Sequence, residues 1–378
     1  YGALRGMETF SQLVSNNIDP HDKDRAPTKE ILSTPILIHD RPLFQHRGIM
    51  LDTSRNYLSM ASLYRTIDAM AMNKFNVFHW HIIDAQSFNV ELDDAQPSKS
   101  VDFTLQSQQG QGASSNIQQK SLPLSQLATK GSYGSAMTYT KQHIADLVDY
   151  AMDRGIRVIP EIDMPGHAWA WSKAFPEITT CLDGFPSYSR FSAEPPSGQL
   201  NPVMSKTYDV IQGVYDQILP LFKDKLVHAG ADEVNFNCWN RTESVLELME
   251  KKSIPRTKEG FDRILDGFVE KQHSMIRNTG KTPIVWEEPL LDHDLSTLKD
   301  NKDTVIQVWT SSQNIKRAVR KGHKVITGSA DFWYLDCGYG DWLGNWTMGR
   351  SWCDPYKTWQ RIYSFNPVQG LKERDRSS

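Results

Sequence analysis

The chain has 378 residues, of which 39% are hydrophobic and 23% are charged, and its formal net charge is −3. This composition is that of an ordinary globular protein with enough apolar residues for a large core, and it excludes a chain that is disordered throughout. The weakly acidic charge gives no electrostatic support for a nucleic-acid partner, and no apolar run approaches the length that spans a bilayer. We therefore expect neither a nucleic-acid partner nor a membrane partner.

The first 42 residues do not follow the pattern of the rest of the chain. Ala3–Val14 has the apolar periodicity of a helix, and Pro35–His39 is typical of a short strand. Together these two elements are too short to fold as an independent domain. We therefore assign residues 1–42 to a unit separate from the domain formed by residues 43–378.

Short apolar strands alternate with longer amphipathic segments from Gly48 onward, which is typical of parallel βα units in the α/β class. Seven such strands within about 280 residues favour a (β/α)8 barrel of the TIM type over an open doubly wound sheet. No glycine-rich phosphate fingerprint follows the first strand, which also argues against the doubly wound fold. The predicted strands are Gly48–Leu51, Asn76–His81, Arg157–Ile162, Lys225–Ala229, Thr282–Trp286, Thr304–Trp309 and Lys324–Thr327. The predicted helices are Met60–Met72, Lys141–Arg154, Tyr208–Phe222, Phe261–Thr279 and Ser312–Lys321.

One stretch inside this pattern has a different composition. Residues 93–120 are rich in Gln, Ser and Gly and contain few apolar side chains. Such a composition predicts a solvated, low-complexity insertion in the loop that follows the second strand.

Four cysteines form an even set without a Cys-x-x-Cys pair, which argues against a zinc ribbon or a thioredoxin-like motif. They are Cys181, Cys238, Cys337 and Cys353. Two disulfides are possible, and spacing alone does not separate the three possible pairings. The pairing that is most local in sequence joins 181 to 238 and 337 to 353.

Two sequons make Asn240 and Asn345 candidate N-glycosylation sites. Together with the even set of cysteines, they favour a secreted protein, or one in a lysosome- or vacuole-like compartment, over a cytosolic protein with buried free thiols.

Polar and aromatic side chains cluster where the predicted strands end. Active sites of (β/α)8 barrels lie at the carboxyl ends of the strands, so these residues are expected to converge on one face. Indole rings beside carboxylates suit a carbohydrate, because sugar rings stack on aromatic faces while their hydroxyls bind charged groups. The strand-end residues are, in chain order, Asp52, Arg55, His79, Trp80, His81, Asp84, Glu161, Asp163, His167, His228, Asp232, Glu233, Trp286, Glu287, Glu288, Trp309, Tyr334 and Asp336.

These residues also allow other interpretations. His79 and His81 face the same side of a strand and, with His228 and a carboxylate, would suit a metal-dependent barrel hydrolase. A His-x-His pair suits packing or hydrogen bonding equally well, so we expect no metal. Glu287 and Glu288 are more typical of a solvated rim than of catalytic groups.

Five motifs together resemble glycoside hydrolase family 20, the β-N-acetylhexosaminidases, and its fungal extracellular members in particular. They run in the family's order through almost the whole chain, from about Ala3 to about Asn366. The motifs are HRGIMLDTSRNYL, NKFNVFHWHIIDAQSF, RGIRVIPEIDMPGHAWAW, HAGADEV with the CW that follows it, and YLDCG.

The resemblance implies hydrolysis of terminal non-reducing β-linked N-acetylglucosamine or N-acetylgalactosamine, as in chitin oligomers and glycan ends, without a cofactor. This family is a substrate-assisted exception among retaining glycosidases, in which the substrate's own 2-acetamido oxygen attacks the anomeric carbon. It implies that Glu233 is the general acid and base, and that Asp232 orients the acetamido N–H and stabilises the charge that develops there.

The resemblance also implies roles for residues around this pair. Tyr334 would donate to the acetamido oxygen, Trp286 and Trp309 would wall the pocket around the acetamido methyl group, and Arg47 and Asp336 would bind sugar hydroxyls. A supporting polar network beneath the acid would consist of His81, Asp84, Asp163, His167 and His228.

Compared with the family pattern, the chain is expected to be shortened at both ends. Residues 1–42 would be a remnant of an α+β domain, and the tail VQGLKERDRSS does not match the family's eighth strand with its Gly-Gly-Glu and Trp-x-Glu segments. We therefore expect a barrel that lacks its eighth strand, and weak or no activity from this chain alone unless another segment completes the barrel. A catalytically impaired sugar-binding homologue and a gene fragment remain as alternatives, and a homodimer is possible.

Overall fold

The computed structural model describes residues 1–17, 28–96, 121–184, 186–335 and 357–376. The strands within these ranges are β1 (Val14–Asn17), β2 (Thr28–Ile31), β3 (Gly48–Asp52), β4 (Val77–Asp84), β5 (Ser87–Phe88), β6 (Arg157–Ile162), β7 (Thr179–Thr180), β8 (Gln199–Leu200), β9 (Leu226–His228), β10 (Thr282–Trp286), β11 (Val305–Val308) and β12 (Val325–Thr327). The α-helices are α1 (Gly2–Leu13), α2 (Met60–Met72), α3 (Ser125–Gly131), α4 (Lys141–Asp153), α5 (Ser205–Ile218), α6 (Phe236–Trp239), α7 (Glu243–Lys251), α8 (Lys258–Asn278), α9 (Glu288–Leu291), α10 (Ser296–Asp300), α11 (Gln313–Arg320) and α12 (Trp359–Tyr363).

Seven strands form one parallel, curled sheet in the order β3, β4, β6, β9, β10, β11, β12. The short strand β5 folds back antiparallel onto β4. Neighbours in this sheet are also neighbours in the chain order of the predicted strands, and helices lie between them, as in a (β/α)8 barrel. The sheet confirms the predicted TIM-type fold, with seven parallel strands among the described residues.

Strand β4 is enclosed along its whole length, since all eight of its residues are buried. Parallel strands are covered on both faces, which explains why the polar residues of this segment are buried together with the apolar ones. Helix α2 contributes Leu63, Ile67 and Met70 to the core at helical spacing. The histidines of β4 are therefore held inside a packed core.

The amino-terminal helix α1 is fastened to the side of the sheet where the strands begin. The guanidinium group of Arg5 donates to the carbonyl oxygens of Ala71 (2.8 Å) and Phe75 (2.7 Å), between α2 and β4. It also donates to the carbonyl oxygens of Arg154 (3.2 Å) and Gly155 (3.3 Å), between α4 and β6. One charged side chain thus satisfies carbonyl groups that the two helix ends leave without intrahelical partners.

The predicted strand at Pro35–His39 is wrong. This segment is irregular, and the strands near it are β1 and β2, which pair antiparallel from Val14 and Ile31 to Asn17 and Thr28. Leu37 is 83% exposed, and Ile36 and Ile38 are also exposed, so the apolar side chains of this segment lack the packing that favours a strand. The domain boundary at residue 42 stays a prediction, and residues 97–120 of the predicted insertion lie outside the described ranges.

Among the described residues, no helix has the length and apolar character needed to cross a membrane.

Candidate active site

The turn after β9 has a strained backbone. Gly230, Ala231 and Glu233 all have positive φ, at 70°, 76° and 50°. Only glycine adopts this conformation without strain, and a non-glycine residue held in a sparsely populated backbone region costs about 1–3 kcal/mol. The surrounding structure must therefore hold Ala231 and Glu233 in place, together with Asp232 between them.

Asp163, just after β6, holds this turn from below. Its Oδ1 accepts a hydrogen bond from the backbone N–H of Ala231 at 3.1 Å. A Cβ at Gly230 would lie only 1.7 Å from the same oxygen, so only glycine fits between the turn and the Asp163 carboxyl group. The predicted supporting residue Asp163 thus lies in contact with the turn that carries Asp232 and Glu233.

His167 brings the two adjacent carboxylates together. Its Nε2 lies 3.2 Å from Glu233 Oε2 and 3.6 Å from Asp232 Oδ2. Its Nδ1 lies 3.2 Å from Asp84 Oδ1, on the opposite side of the ring. Burial alone would lower the pKa of His167, but the charges of Asp84, Asp232 and Asp163 outweigh burial and raise that pKa well above its usual range. His167 is therefore a buried cation beneath both carboxylates.

Asp84 is fully buried and connects His167 to an arginine. Arg55 Nη1 lies 2.7 Å from Asp84 Oδ2 and 3.0 Å from Asp52 Oδ2, and its Nη2 lies 2.6 Å from Glu194 Oε1. Burial favours the neutral form of Asp84, but His167 and Arg55 overcome this effect and hold the Asp84 pKa below its usual range. The Arg55 side chain is 29% exposed.

The position of Arg47 contradicts the prediction that it binds sugar hydroxyls. Arg47 precedes β3 and lies at the amino-terminal end of the sheet, whereas Glu233 lies at the carboxyl-terminal end. Its side chain donates to the carbonyl oxygens of Lys74 (3.1 Å) and Phe44 (2.7 Å). Arg55, at the other end of the same strand, is the arginine that reaches the site.

Glu161 has no exposed surface and lies at the middle of a second group of interacting buried side chains. It accepts hydrogen bonds from His79 Nε2 (2.6 Å) and Trp286 Nε1 (2.8 Å). The Nδ1 atoms of His81 and His228 lie 2.8 Å and 3.2 Å from its carboxylate oxygens. Burial would raise the Glu161 pKa, but its interactions with the three histidines hold that pKa well below the usual range. Glu161 therefore stays ionised although it is buried.

His79, Glu161 and His228 could in principle present ligand atoms to a metal ion, since these atoms lie within 4.8 Å of one another. The hydrogen bonds of Glu161 use both of its oxygens for other groups, one for His79 and one for Trp286. The His79 pKa is lowered to about 4, and burial is the largest cause of this shift. These contacts favour an organising hydrogen-bond network over a metal site.

Two further aromatic residues lie beside this network. Trp309 Nε1 donates to Glu288 Oε1 at 2.9 Å, and the rings of Trp309 and Tyr334 are nearly parallel, with centroids 6.1 Å apart. Glu287 accepts hydrogen bonds from the backbone N–H groups of Trp309 and Thr310, both at 3.3 Å. Glu287 and Glu288 are 1% and 9% exposed, so the expectation that they form a solvated rim is wrong.

The disulfide Cys181–Cys238 confirms the local pairing for these two cysteines. Cys238 belongs to α6, the helix that begins three residues after Glu233, so the bond ties this helix to the loop after β6. Asn240 is exposed, and its side-chain oxygen accepts from Arg256 at 2.9 Å. The remaining predicted positions lie outside the described residues; they are Asp336, Cys337, Asn345 and Cys353.

Comparison with known proteins identifies the family. The profile for the catalytic domain of glycosyl hydrolase family 20 matches residues 44–378. The chain belongs to glycosyl hydrolase family 20. The predicted family resemblance is therefore confirmed.

Relatives of this family 20 chain include enzymes of fungi, insects and bacteria. It is 34% identical to beta-hexosaminidase 1 of Coccidioides posadasii, with 98% of this chain and 60% of that protein covered. It is also 34% identical to the chitooligosaccharidolytic beta-N-acetylglucosaminidase of Bombyx mori, with 99% and 57% covered. The structure of a family 20 exo-beta-N-acetylglucosaminidase from Vibrio harveyi matches with a TM-score of 0.71 and 25% identity, with 99% and 54% covered. The family 20 chain thus spans roughly three fifths or less of the length of these relatives.

The family 20 chain contains three site residues whose roles sequence analysis did not assign. Arg55 and Glu161 were recognised only as polar residues at strand ends, although their place after β3 and within β6 already put them on the correct rim. Glu194 had no such signal, because it comes from the loop between β7 and β8 and reaches Arg55 only through the fold.

Two carboxyl groups of this site, those of Asp163 and Asp232, have raised pKa values. Burial raises the pKa of Asp163 well above its usual range, and the charge of Asp232 adds to this effect. Burial likewise raises the pKa of Asp232 to about 6; His167 opposes the shift and the charge of Glu233 adds to it. The charge of Asp232 thus adds to burial in favouring the protonated form of Asp163.

Gly230→Ala should destabilise the family 20 fold far more than Gly280→Ala. Both glycines have positive φ, but a Cβ at Gly230 meets Asp163 Oδ1 at 1.7 Å, whereas nothing lies within 4 Å of a Cβ at Gly280. We expect a loss of unfolding free energy of about 1 kcal/mol for Gly280→Ala, from backbone strain alone, and of at least ~3 kcal/mol for Gly230→Ala. Chemical denaturation measures both, and equal losses would contradict the close contact at Gly230.

Asp232→Asn should stabilise the protein at pH 7 but not at pH 4. A folded-state pKa of about 6, above the unfolded value, means that ionising Asp232 costs the folded state free energy. The stability that the protonated form provides is fully present below the unfolded pKa of about 4 and is lost as pH rises through about 6. The variant avoids this loss, so we expect a gain of ~1–3 kcal/mol at pH 7 that vanishes toward pH 4.

Denaturation curves at the two pH values measure this gain. The exposed Asp183→Asn provides a control that removes a carboxylate outside the site. A gain for Asp232→Asn that is the same at both pH values would contradict the assigned titration.

Proposed function

We propose that this chain is the catalytic part of a retaining β-N-acetylhexosaminidase that releases terminal non-reducing β-linked N-acetylglucosamine or N-acetylgalactosamine. The observation that carries the proposal is the contact of one buried histidine, His167, with two adjacent carboxyl groups, Asp232 and Glu233, on the strained turn after β9. Membership of family 20 supports the substrate-assisted form of the reaction, in which the protein supplies no nucleophile.

In the first step, protonated Glu233 gives its proton to the leaving glycosidic oxygen while the bond from that oxygen to the anomeric carbon breaks. The substrate's acetamido carbonyl oxygen forms a bond to the same carbon, which produces a cyclic oxazolinium ion. Asp232 accepts a hydrogen bond from the acetamido N–H and stabilises the positive charge that develops on this group. The contact of Asp232 with His167 and Asp163 fixes its orientation for this task.

In the second step, the Glu233 carboxylate removes a proton from a water molecule that attacks the anomeric carbon. The bond between that carbon and the acetamido oxygen breaks, so the sugar is released with the configuration it had in the substrate. Glu233 regains its proton and is ready for the next turnover. With a side-chain exposure of 30%, Glu233 is open enough to meet both the leaving group and the water.

Residues at the same rim supply the remaining contacts in this proposal. Arg55, rather than Arg47, binds the sugar hydroxyls, because its guanidinium group lies between Asp52, Asp84 and Glu194 at the carboxyl ends of the strands. Tyr334 donates to the acetamido oxygen, and Trp286 and Trp309 wall the acetamido pocket. The role of Asp336 in binding hydroxyls stays a prediction.

The Bombyx relative is described as chitooligosaccharidolytic, and we propose N-acetylglucosamine-ended oligosaccharides as substrates here too. We also propose a secreted protein or one of a lysosome- or vacuole-like compartment, since the disulfide Cys181–Cys238 and the exposed sequon at Asn240 suit an oxidising environment. A homodimer stays a prediction.

Glu233→Gln should remove activity in a manner that depends on the leaving group. An amide cannot donate the proton, so kcat/KM for an alkyl β-N-acetylglucosaminide should fall by roughly 10²–10⁴-fold. The p-nitrophenolate leaving group departs with less help from protonation of its oxygen. The rate of the first step should therefore fall less for a p-nitrophenyl glycoside than for the alkyl glycoside. The assays should use the protein at its natural full length, with the exposed Glu243→Gln on α7 as a control.

Equal turnover by the wild type and Glu233→Gln would overturn the role of Glu233. Tight binding of an N-acetylglucosamine-thiazoline without any hydrolysis by the wild type would identify a sugar-binding homologue instead of an enzyme.

A further inference from the structure

Two indole rings at the site each donate their N–H to a buried carboxyl group. Trp286 Nε1 donates to Glu161 Oε1 at 2.8 Å, and Trp309 Nε1 donates to Glu288 Oε1 at 2.9 Å. Glu161 has no exposed surface and Glu288 is 9% exposed. Three histidines hold the pKa of Glu161 well below its usual range, whereas burial raises the pKa of Glu288 well above it and favours a neutral carboxyl group there.

The two rings differ in how far packing holds them, since Trp286 is 5% exposed whereas Trp309 is only partly buried. The Trp286 ring lies against His228, with centroids 4.6 Å apart, and the Trp309 ring lies near Tyr334, at 6.1 Å. A ring that walls a ligand pocket leaves one face free for the ligand, so it has fewer packing contacts than a core ring. A hydrogen bond to a fixed carboxyl group at the ring edge restricts rotation of the indole plane.

We propose that Glu161 and Glu288 are positioning residues that set the width of the pocket for the substrate's N-acyl group. This inference rests on the proposed function, in which Trp286 and Trp309 wall that pocket. Glu161 holds one wall and Glu288 holds the other, and neither carboxyl group touches the reacting atoms. The two residues thereby determine which N-acyl groups fit.

The width of this pocket matters for rate because the acyl group carries the nucleophile. Its carbonyl oxygen must lie close to the anomeric carbon and in line with the breaking bond, and a misplacement of about 1 Å can cost roughly 10²-fold in rate. A pocket held at the width of a methyl group keeps the oxygen in this position. A wider pocket admits larger acyl groups and positions the acetyl oxygen less well.

Glu288 gives the cleaner test of the two carboxylates. Glu161 also contacts His79, His81 and His228, so its replacement disturbs a larger network. At Glu288, the hydrogen bond from Trp309 is the only one to a side-chain oxygen found among the described residues, and the other oxygen is buried without a hydrogen-bond partner there. Changes at this position therefore report mainly on Trp309.

The experiment compares Glu288→Met with Glu288→Gln in the protein at its natural full length. Hydrolysis of p-nitrophenyl β-glucosaminides with N-acetyl and N-propionyl groups gives two kcat/KM values for each variant. For Glu288→Met, which removes the acceptor, we expect the N-acetyl value to fall about 10–100-fold and the ratio of N-propionyl to N-acetyl to rise about tenfold. Glu288→Gln keeps an oxygen for the indole N–H and should stay within about threefold of the wild type in both quantities.

Trp309→Phe tests whether the effect passes through the indole N–H. The phenyl ring has no N–H, so adding Glu288→Met to this background should change the N-acyl ratio little further. Thr53→Val is the matched control, since it removes the acceptor of another buried indole, Trp80, whose N–H donates to Thr53 Oγ1 at 2.9 Å. Thr53→Val should leave the N-acyl ratio unchanged even if it lowers stability.

Binding of thiazoline analogues that carry a methyl or an ethyl group measures the same pocket without any catalysis. An N-acyl ratio and a methyl-to-ethyl preference that both stay at wild-type values in Glu288→Met would overturn the inference, while wild-type hydrolysis would leave the proposed function intact. Absence of wild-type hydrolysis, together with a relaxed methyl-to-ethyl preference in Glu288→Met, would overturn the proposed function and support the positioning role. Absence of any thiazoline binding would overturn both.

Discussion

The ion pair between Asp84 and His167 is the interaction on which the rest of the site depends. A buried imidazolium is stable only when negative charge compensates it, and Asp84 supplies that charge from the fully enclosed end of β4. His167 can then present a positive edge to Asp232 and Glu233. Without this cation, two adjacent carboxylates on one turn would repel each other with little compensation.

The fold makes this arrangement possible by bringing short segments from distant parts of the chain to one rim. Asp84 ends β4, His167 follows β6 and the carboxylate turn follows β9, and these three strands are neighbours in the sheet. The backbone at Ala231 and Glu233 is strained, and the hydrogen bond from Ala231 to Asp163 helps to hold it. The buried hydrogen-bond network around Asp163 and His167 thus holds the strained turn in place.

Sequence patterns predicted the fold well because its elements are local. Each parallel strand is a short apolar run, and the motif order placed the carboxylate pair after the fourth barrel strand. Strand direction would also have corrected the choice of Arg47 as the arginine that binds sugar hydroxyls. A residue that precedes a parallel strand lies at the amino-terminal rim of the sheet, opposite the rim that carries the site. Arg55 follows the same strand and reaches the site.

Burial of single side chains was harder to predict, since it depends on contacts between distant segments. Glu287 and Glu288 look solvated in sequence, but residues beyond the next strand provide hydrogen-bond donors that stabilise their burial. The backbone N–H groups of Trp309 and Thr310 donate to Glu287, and the indole N–H of Trp309 donates to Glu288. Glu194 reaches Arg55 across 139 residues of sequence, and no local pattern encodes that contact.

In the proposed mechanism, the substrate's own acetamido oxygen is the nucleophile, oriented by Asp232 and assisted by Glu233. The most direct measurement is kcat/KM for aryl β-glucosaminides whose N-acyl group carries zero, one, two or three fluorine atoms. Fluorine withdraws electrons from the carbonyl oxygen, so kcat/KM should fall steeply with each fluorine added. A rate that is independent of fluorine number would contradict the account, because it would show that the acyl oxygen does not attack.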